Sequence, residues 1–278
     1  MGAGAGVTVL GREVVATRPL GSVEVCTLDD GREVVVKRPE TPRSGARPST
    51  RVAAEAAGLR WLAEPGVVPV PEVLDADDAT LVTTLVPTRS ASRAAAEDFG
   101  RSLAALHAAG APAFGAPPPG GPADAWIGEA PMRNDPHDGH WLDWYLADRV
   151  QPYLRRAVDQ GALSASAASR IEGAALQPGP EEPPARLHGD LWSGNVLWSD
   201  RAWLIDPAAH GGHRETDLAM FALFGHPHLD TVLAAYDEAA PLADGWRDRV
   251  GLHQLFPLLV HAALFGGGYG EAALRAVT

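Results

Sequence analysis

The chain has 278 residues, enough for one large or two modest domains, and 46% of them are hydrophobic and 21% charged, as in soluble globular proteins. The formal net charge of −12 argues against a nucleic acid or an anionic membrane as a partner, because no broad basic surface neutralises phosphates. The single cysteine, Cys26, excludes an intramolecular disulfide framework, and the first residues lack the basic and apolar regions of a signal peptide. These features favour a cytoplasmic protein.

The first 87 residues have the pattern of a small antiparallel sheet with one helix. Strand-like runs are found at 13–20, 23–28 and 33–37, and two more strands are predicted within 68–87. A turn is predicted at Gly21, and the helix is predicted over 50–66, where Pro and Gly end it. We therefore expect an N-terminal lobe at 1–87 of the α+β class.

Residues 88–278 are predicted to form a larger, mostly helical lobe. Helical segments are found at 94–110, 139–158, 215–225 and beyond 229. A Pro- and Gly-rich loop is predicted at 111–126, and a bend is expected near Pro152. The apolar stretch 255–268 is too short for a membrane span, so it predicts a buried helix.

Two residue types are unusually rare in this chain. Lys37 is the only lysine among 23 basic residues, and Asn134 and Asn195 are the only asparagines. In a chain with a strong bias towards Ala, Gly, Pro and Arg, an isolated Lys or Asn indicates a position that Arg, Asp or Ser cannot fill.

The stretch LHGDLWSGN at 187–195 carries the clearest chemical signal. Asp190 precedes Asn195 by five positions, which is the spacing of a kinase catalytic loop. The carboxylate can take or orient the proton of an attacking hydroxyl, and the amide oxygen can bind Mg²⁺ without adding a negative charge beside the base. Asp206 ends the apolar run WLID and can hold Mg²⁺ against nucleotide phosphates.

The N-terminal part provides an independent test of this interpretation. A kinase needs a strand lysine for the nucleotide phosphates and an acid on the following helix that holds it, and Lys37 and Glu55 fit these roles. Gly21 and Ser22 mark the expected phosphate-loop turn, although no full G-x-G-x-x-G is present. Together these residues predict an ATP-dependent phosphotransferase that uses Mg²⁺.

Other interpretations stay open on the residues alone. Ser193 suggests a hydrolase nucleophile, although its surroundings are not G-x-S-x-G. The histidines at 210–213 and 226–228 suggest a zinc site, and Cys26 is either a small apolar strand residue or a reactive thiol. A catalytically silent nucleotide-binding protein is a further alternative, motivated by the thin glycine loop.

The chain resembles the fructosamine-3-kinase (ketosamine-3-kinase) family, which is related to aminoglycoside phosphotransferases and more distantly to protein kinases. The segments that carry the resemblance are LWSG within 187–195, WIGEAPMRND at 126–135, IDPAAHGGHRETDLAM at 205–220 and LLVHAALFGGGY at 258–269. The resemblance implies a protein-kinase-like two-lobed fold. It also implies ATP-dependent phosphorylation of a ketosamine sugar hydroxyl, O3, in deglycation or in catabolism of glycated amines.

The resemblance also implies site residues and partners. The implied residues are Lys37, Glu55, Gly21, Ser22, Thr84 and Val86 for ATP, Asp190 as the base, Asn195 and Asp206 for Mg²⁺, and Trp192 and His261 for the sugar-amine. Asp217 is expected to brace the catalytic loop. The expected partner is a small-molecule or protein-linked ketosamine, and the expected state is a monomer or weak homodimer. An aminoglycoside, choline or other small-molecule phosphotransferase is the alternative.

Overall fold

The computed structural model describes residues 7–38 and 48–278, and its N-terminal part is built on one antiparallel sheet. The strands are β1 (Thr8–Val9), β2 (Arg12–Leu20), β3 (Val23–Leu28), β4 (Glu33–Lys37), β5 (Val73–Ala76) and β6 (Leu81–Thr84). They pair in the order β1-β2-β3-β4-β6-β5, and helix α1 (Pro48–Ala63) lies between β4 and β5 in the chain. The predicted strands and helix are confirmed within three residues of their expected bounds.

The alternation of side chains along β4 directs one lysine to the inner side of the lobe. Val34 and Val36 are buried and pack with the apolar side chains of β3 and β6, including Cys26. Because successive side chains of a strand point to opposite faces, Lys37 leaves this apolar cluster and reaches α1. Cys26 is buried, and burial raises the pKa of its thiol, so it acts as a small apolar strand residue.

The C-terminal part is mostly helical, as predicted. Its α-helices are α2 (Arg93–Ala108), α3 (Trp141–Trp144), α4 (Gln151–Asp159), α5 (Ala165–Glu172), α6 (Arg214–Leu223), α7 (Leu229–Ala239), α8 (Trp246–Phe265) and α9 (Tyr269–Val277). Helix α2 begins at the N-cap Ser92, whose side chain accepts the N–H of Ala95, and it buries the predicted face of Phe99, Leu103 and Leu106. None of the helices within the described ranges combines the length and hydropathy needed to cross a membrane.

Three short two-stranded sheets complete this lobe and carry most of the site. They are β7 (Asp124–Ile127) with β8 (Ala130–Arg133), β9 (Ala185–Leu187) with β12 (His210–Gly212), and β10 (Val196–Trp198) with β11 (Ala202–Leu204). The loop predicted over 111–126 is therefore wrong at its end. Ile127 pairs with Ala130 across a two-residue turn in which Gly128 has a φ of +53°, a conformation that glycine adopts without strain.

The helical segment predicted over 139–158 is interrupted rather than bent. A wide π-helical turn, Tyr145–Val150, separates α3 from α4. Pro152 follows this turn as the second residue of α4, where its missing N–H is not needed. The irregularity predicted near Pro152 is therefore this π-helical turn, which occupies the six residues before α4.

A second proline, Pro257, lies inside α8, and a tyrosine from the π-helical turn compensates for it. The hydroxyl of Tyr145 donates to the carbonyl oxygen of Leu252 at 2.8 Å and accepts the N–H of Phe256 at 3.0 Å. The carbonyl of Leu252 and the N–H of Phe256 are four residues apart, the spacing of a helical hydrogen bond, and Phe256 directly precedes Pro257. Tyr145 thereby connects the interrupted helix to the kinked helix in the core, and its burial raises its pKa.

Replacing Tyr145 by Phe is expected to lower the free energy of unfolding by about 1–3 kcal/mol, because two buried backbone groups lose a partner. Chemical denaturation measures this change. Tyr269→Phe is the matched control, since no hydrogen bond to the Tyr269 hydroxyl is found in the described part of the chain. Equal stability of the two variants would show that the Tyr145 hydroxyl does not support α8.

Candidate active site

The two lobes meet at an ion triad centred on the only lysine. The Nζ of Lys37 donates to both carboxylate oxygens of Glu55, at 2.9 and 2.8 Å, and to Oδ1 of Asp206 at 2.9 Å. Lys37 ends β4, Glu55 lies in α1, and Asp206 follows β11 in the other lobe. Burial lowers the pKa of Lys37, but the two carboxylates outweigh it and the net pKa is raised, so the lysine stays charged.

The catalytic-loop candidate lies between β9 and β10. A short 3₁₀ turn, Ser193–Asn195, folds the loop back so that Nδ2 of Asn195 donates to the backbone oxygen of Asp190 at 2.8 Å and to its Oδ2 at 3.1 Å. This orientation leaves Oδ1 of Asn195 as the acceptor that faces away from the base. Burial raises the pKa of Asp190 to about 7, and Asn195 and Lys37 counteract the shift only in part.

A buried network of hydrogen bonds fixes the backbone of the Asp190 loop. Asp217 accepts the backbone N–H groups of His188 at 2.7 Å and Gly189 at 2.9 Å, and it also contacts His107 at 3.3 Å. Burial works to raise the pKa of Asp217, but these donors outweigh burial and its pKa is lowered. His188 itself bonds the carbonyl of Ile205 at 2.9 Å, and burial lowers its pKa. Asp217 therefore braces the loop as a charged acceptor. The neutral His188 donates from Nε2 to Ile205, and its Nδ1 accepts the N–H of Asp190 at 3.3 Å.

Two tight backbone positions bring the loop and the Asp206 segment together. Gly189 has a φ of +83°, and a Cβ there would lie 2.1 Å from the carbonyl oxygen of Ala208, so only glycine fits. Asp206 also has a positive φ, +52°, which Asp tolerates better than most residues. The close approach places the Asp190 loop beside the residue that contacts Lys37.

Asn195 and Asp206 fit the chemistry of a magnesium site. They flank the β10–β11 hairpin, and the N–H of Ile205 donates to the backbone oxygen of Asn195 at 3.0 Å, so the two side chains stand at the same end of the hairpin. An amide oxygen and a carboxylate are the hard donors that Mg²⁺ prefers.

These residues line one cavity of about 710 Å³ between the lobes. The predicted site residues that line it are Ser22, Lys37, Glu55, Asp190, Trp192, Asn195, Asp206 and His261. The predicted residues Gly21, Thr84 and Val86 are not among the lining residues, and Thr84 Oγ1 instead accepts the N–H of Glu72 at 3.0 Å. Their roles in nucleotide binding stay predictions.

The glycine of the Trp192-Ser193-Gly194 sequence leaves room for the indole ring of Trp192. The indole of Trp192 lies against Gly194, where a Cβ would stand 2.3–2.6 Å from three ring carbons. Only glycine allows this ring position, in which Trp192 is 38% exposed and lines the cavity. Phe224 packs edge-on against the indole and His261 lies beside Phe224, with ring centroids 6.0 and 5.1 Å apart. An aromatic rim thus borders the mouth of the cavity.

The sequence motivated two alternative sites, and neither is supported by the geometry. Ser193 is not among the lining residues of the cavity. His213, Glu215 and His253 do gather within 4.8 Å, but Arg249 holds both oxygens of Glu215, at 2.6 and 3.0 Å. This cluster is a charge-balanced part of the C-terminal core.

One cavity residue was missed as a site residue by the sequence analysis. Asn134 follows β8, is fully buried and lines the cavity. The sequence did mark Asn134 as unusual, because it is one of only two asparagines in the chain. No neighbouring motif of known chemistry identified its role.

A sheet lobe and a helical lobe that enclose Lys37, Asp190, Asn195 and Asp206 in this arrangement are typical of a phosphotransferase of the protein-kinase-like class. A model of the fructosamine kinase family matches residues 22–278. The chain therefore belongs to the fructosamine kinase family, and the resemblance drawn from LWSG is confirmed.

Solved structures and relatives agree with this assignment. A candidate fructosamine-3-kinase from Thermobifida fusca is 48% identical, with a TM-score of 0.86 over 95% of each chain. A candidate ketoamine kinase from Enterococcus faecium is 33% identical over 183 residues, 63% of this chain and 63% of its own length. A macrolide 2′-phosphotransferase from Brachybacterium faecium covers 96% of this chain and 94% of its own at a TM-score of 0.64 and 19% identity, which shows the shared fold alone.

The raised pKa of Asp190 predicts that Asp190→Asn stabilises the protein in a pH-dependent manner. The folded state keeps the proton of Asp190 up to about pH 7, whereas an unfolded Asp loses it near 3.8, so the wild type loses stability as the pH rises through this window. The increase in the free energy of unfolding caused by Asp190→Asn should be larger at pH 8 than at pH 5, by on the order of 2–3 kcal/mol.

Urea unfolding without nucleotide and with EDTA measures this difference. Asp159→Asn is the control, because Asp159 is exposed at the end of α4. A stabilisation by Asp190→Asn that is equal at both pH values would show that Asp190 has an ordinary pKa.

Proposed function

We propose that the protein transfers the γ-phosphoryl group of ATP to the 3-hydroxyl of a ketosamine such as a fructosamine or ribulosamine. One observation carries this proposal: Asp190, Asn195, Asp206 and Lys37 line a single cavity in a chain of the fructosamine kinase family. The identity of the sugar-amine and the position of transfer are inferred from the family. The intact set of residues also argues against a catalytically silent nucleotide-binding protein.

The chain's own residues divide the work of phosphoryl transfer between the two lobes. Asp190 accepts the proton of the attacking hydroxyl, and its pKa of about 7 suits a base that works near neutral pH. Lys37, held by Glu55, places its charge on the nucleotide phosphates. When bound by Asn195 and Asp206, Mg²⁺ supplies charge neutralisation at the phosphates. Positioning and electrostatics then provide most of the rate.

The far end of the cavity is suited to a sugar that carries an amine. Nδ1 of His261 donates to the carbonyl of Pro257 at 2.7 Å, which leaves Nε2 as an acceptor for an ammonium or hydroxyl group. Trp192 and Phe265 line the cavity with exposed aromatic faces, and such faces attract cations. A ketosamine carries its amine on C1, two carbons from C3, so the amine would lie towards this aromatic rim while O3 is at Asp190.

The reaction has a chemical consequence for the substrate. Phosphate at C3 is a far better leaving group than hydroxide, and C3 is adjacent to the ketone carbon. Phosphorylation there destabilises the sugar–amine linkage, so the proposed role is deglycation or catabolism of glycated amines. We further propose that the protein acts in the cytoplasm, on a free or protein-linked ketosamine, as a monomer or weak homodimer.

A release assay for ADP tests the substrate class. The protein with Mg²⁺ and ATP is offered fructosamines and ribulosamines, aminoglycosides and choline, and the phosphorylated carbon is located by NMR. We expect turnover on ketosamines with phosphate on O3. Turnover restricted to aminoglycosides or choline would favour the alternative phosphotransferase, and ATP binding without any turnover would favour a silent nucleotide-binding protein.

Replacing Asp190 by Asn is expected to lower kcat by roughly 10²–10⁴, because the hydroxyl loses its proton acceptor. The same assay on the best acceptor measures this change, and unfolding curves verify that the variant is folded. Asp159→Asn should keep the wild-type rate. A rate for Asp190→Asn within a few fold of the wild type would remove Asp190 as the base.

A further inference from the structure

The side-chain amide of Asn134 is only partly satisfied, because its Oδ1 accepts a hydrogen bond but its Nδ2 has no partner among the described residues. Its side chain is fully buried, yet Nδ2 makes no hydrogen bond within the described part of the chain. A buried amide donor without a partner costs roughly 1–3 kcal/mol, so such a group calls for an explanation. Asn134 also lines the cavity that contains Asp190.

The orientation of this amide is imposed from behind by an arginine. Nη2 of Arg149 donates to Oδ1 of Asn134 at 2.7 Å, and Nη1 donates to the carbonyl oxygen of Arg133 at 2.7 Å. A guanidinium has donors only, so the amide cannot flip and present Nδ2 to it. The backbone of Asn134 is fixed as well, since its N–H donates to the carbonyl of Ala123 at 2.8 Å. Nδ2 is therefore the side-chain atom of Asn134 that keeps its hydrogen-bonding capacity for a ligand.

Arg149 is itself held without a counter-charge. It is fully buried, packs against the rings of Trp144 and Phe256 at 4.7 and 5.8 Å, and has no carboxylate oxygen within 4.0 Å among the described residues. Its positive charge withdraws electron density from the carbonyl end of the Asn134 amide. That polarisation makes Nδ2 a stronger hydrogen-bond donor towards the cavity.

We propose that Asn134 binds the acceptor substrate, donating from Nδ2 to a hydroxyl or ring oxygen of the sugar, and that Arg149 is the residue that positions it. This rests on the proposed function, since the sugar is the polyol that the cavity is inferred to bind. Asn134 follows β8 and lines the cavity from the C-terminal lobe, whereas Lys37 ends β4 and lines it from the N-terminal lobe. The contact should therefore affect the acceptor more than ATP.

The variant Asn134→Asp separates this role from a structural one. The carboxylate has nearly the same shape and gives Arg149 the anion it lacks, so the fold should be as stable as the wild type or more stable. It replaces the donor at the cavity by an acceptor, which is expected to raise KM for a fructosamine about tenfold. KM for ATP should change less than twofold. If Asn134 has only a structural role, Asn134→Asp should leave KM for both the fructosamine and ATP unchanged.

Deoxygenated substrates identify the bonded oxygen. The wild type and Asn134→Asp are compared on a fructosamine and on its 4-deoxy, 5-deoxy and 6-deoxy analogues, with Asn134→Ala as a second variant. For one analogue we expect the wild type to lose about tenfold in kcat/KM while both variants lose no more than twofold. This coupling would not arise from a general loosening of the fold, which affects the parent substrate and its analogues alike.

The outcomes separate the two proposals. Failure of the wild type to phosphorylate any fructosamine, ribulosamine, aminoglycoside or choline would overturn both of them. If the parent fructosamine is phosphorylated but every analogue loses the same factor in the wild type and in both variants, the role of Asn134 is overturned alone. If an aminoglycoside is the acceptor instead, the ketosamine proposal fails, and the same comparison on its deoxy analogues decides the role of Asn134.

Discussion

The contact of Lys37 with Glu55 and Asp206 is the interaction on which the rest of this architecture depends. It joins a strand, a helix and a loop that come from different lobes, and one cation is shared between two carboxylates. A partly buried group of this kind has one negative charge in excess, which is costly unless further positive charge arrives. The site is therefore suited to a divalent cation, whose charge would offset the excess carboxylate. Loss of the lysine would leave two carboxylates facing each other.

Helix α1 can serve this triad only because it is fixed to the C-terminal lobe along its length. Arg51 bonds Glu129 of the β7–β8 turn at 2.8 Å near the start of the helix. Near its end, Arg186 of β9 stacks on the ring of Trp61 at 4.7 Å and donates to its carbonyl oxygen at 2.7 Å. Both contacts connect α1 to elements that also carry Asn134 or the loop of Asp190. The position of Glu55 is thus set by the same strands that place Asp190.

Local patterns in the sequence were sufficient to predict the chemistry but not the full shape of the site. Asp190 and Asn195 were proposed as site residues from their spacing, and Lys37 and Asp206 from their chain order, because all four lie at strand ends or in tight loops with strong local signals. The β7–β8 hairpin was missed because its strands follow a Pro- and Gly-rich stretch that reads as loop. The π-helical turn before Pro152 depends on packing of Tyr145 into α8, which no local pattern encodes. The family resemblance, by contrast, covered almost the whole chain and was confirmed.

Three energetically unfavourable groups line the same cavity. Asp190 is held where its pKa is about 7, Asp206 has a left-handed backbone, and Asn134 has a buried donor without a partner. Away from the cavity, buried polar groups such as Asp217 and Glu215 are matched by several donors each. A fold that satisfies Asp217 with three separate contacts is able to satisfy the others as well. Because Asp190, Asp206 and Asn134 all line the cavity proposed for the nucleotide and the sugar, atoms of those ligands are suited to be their partners.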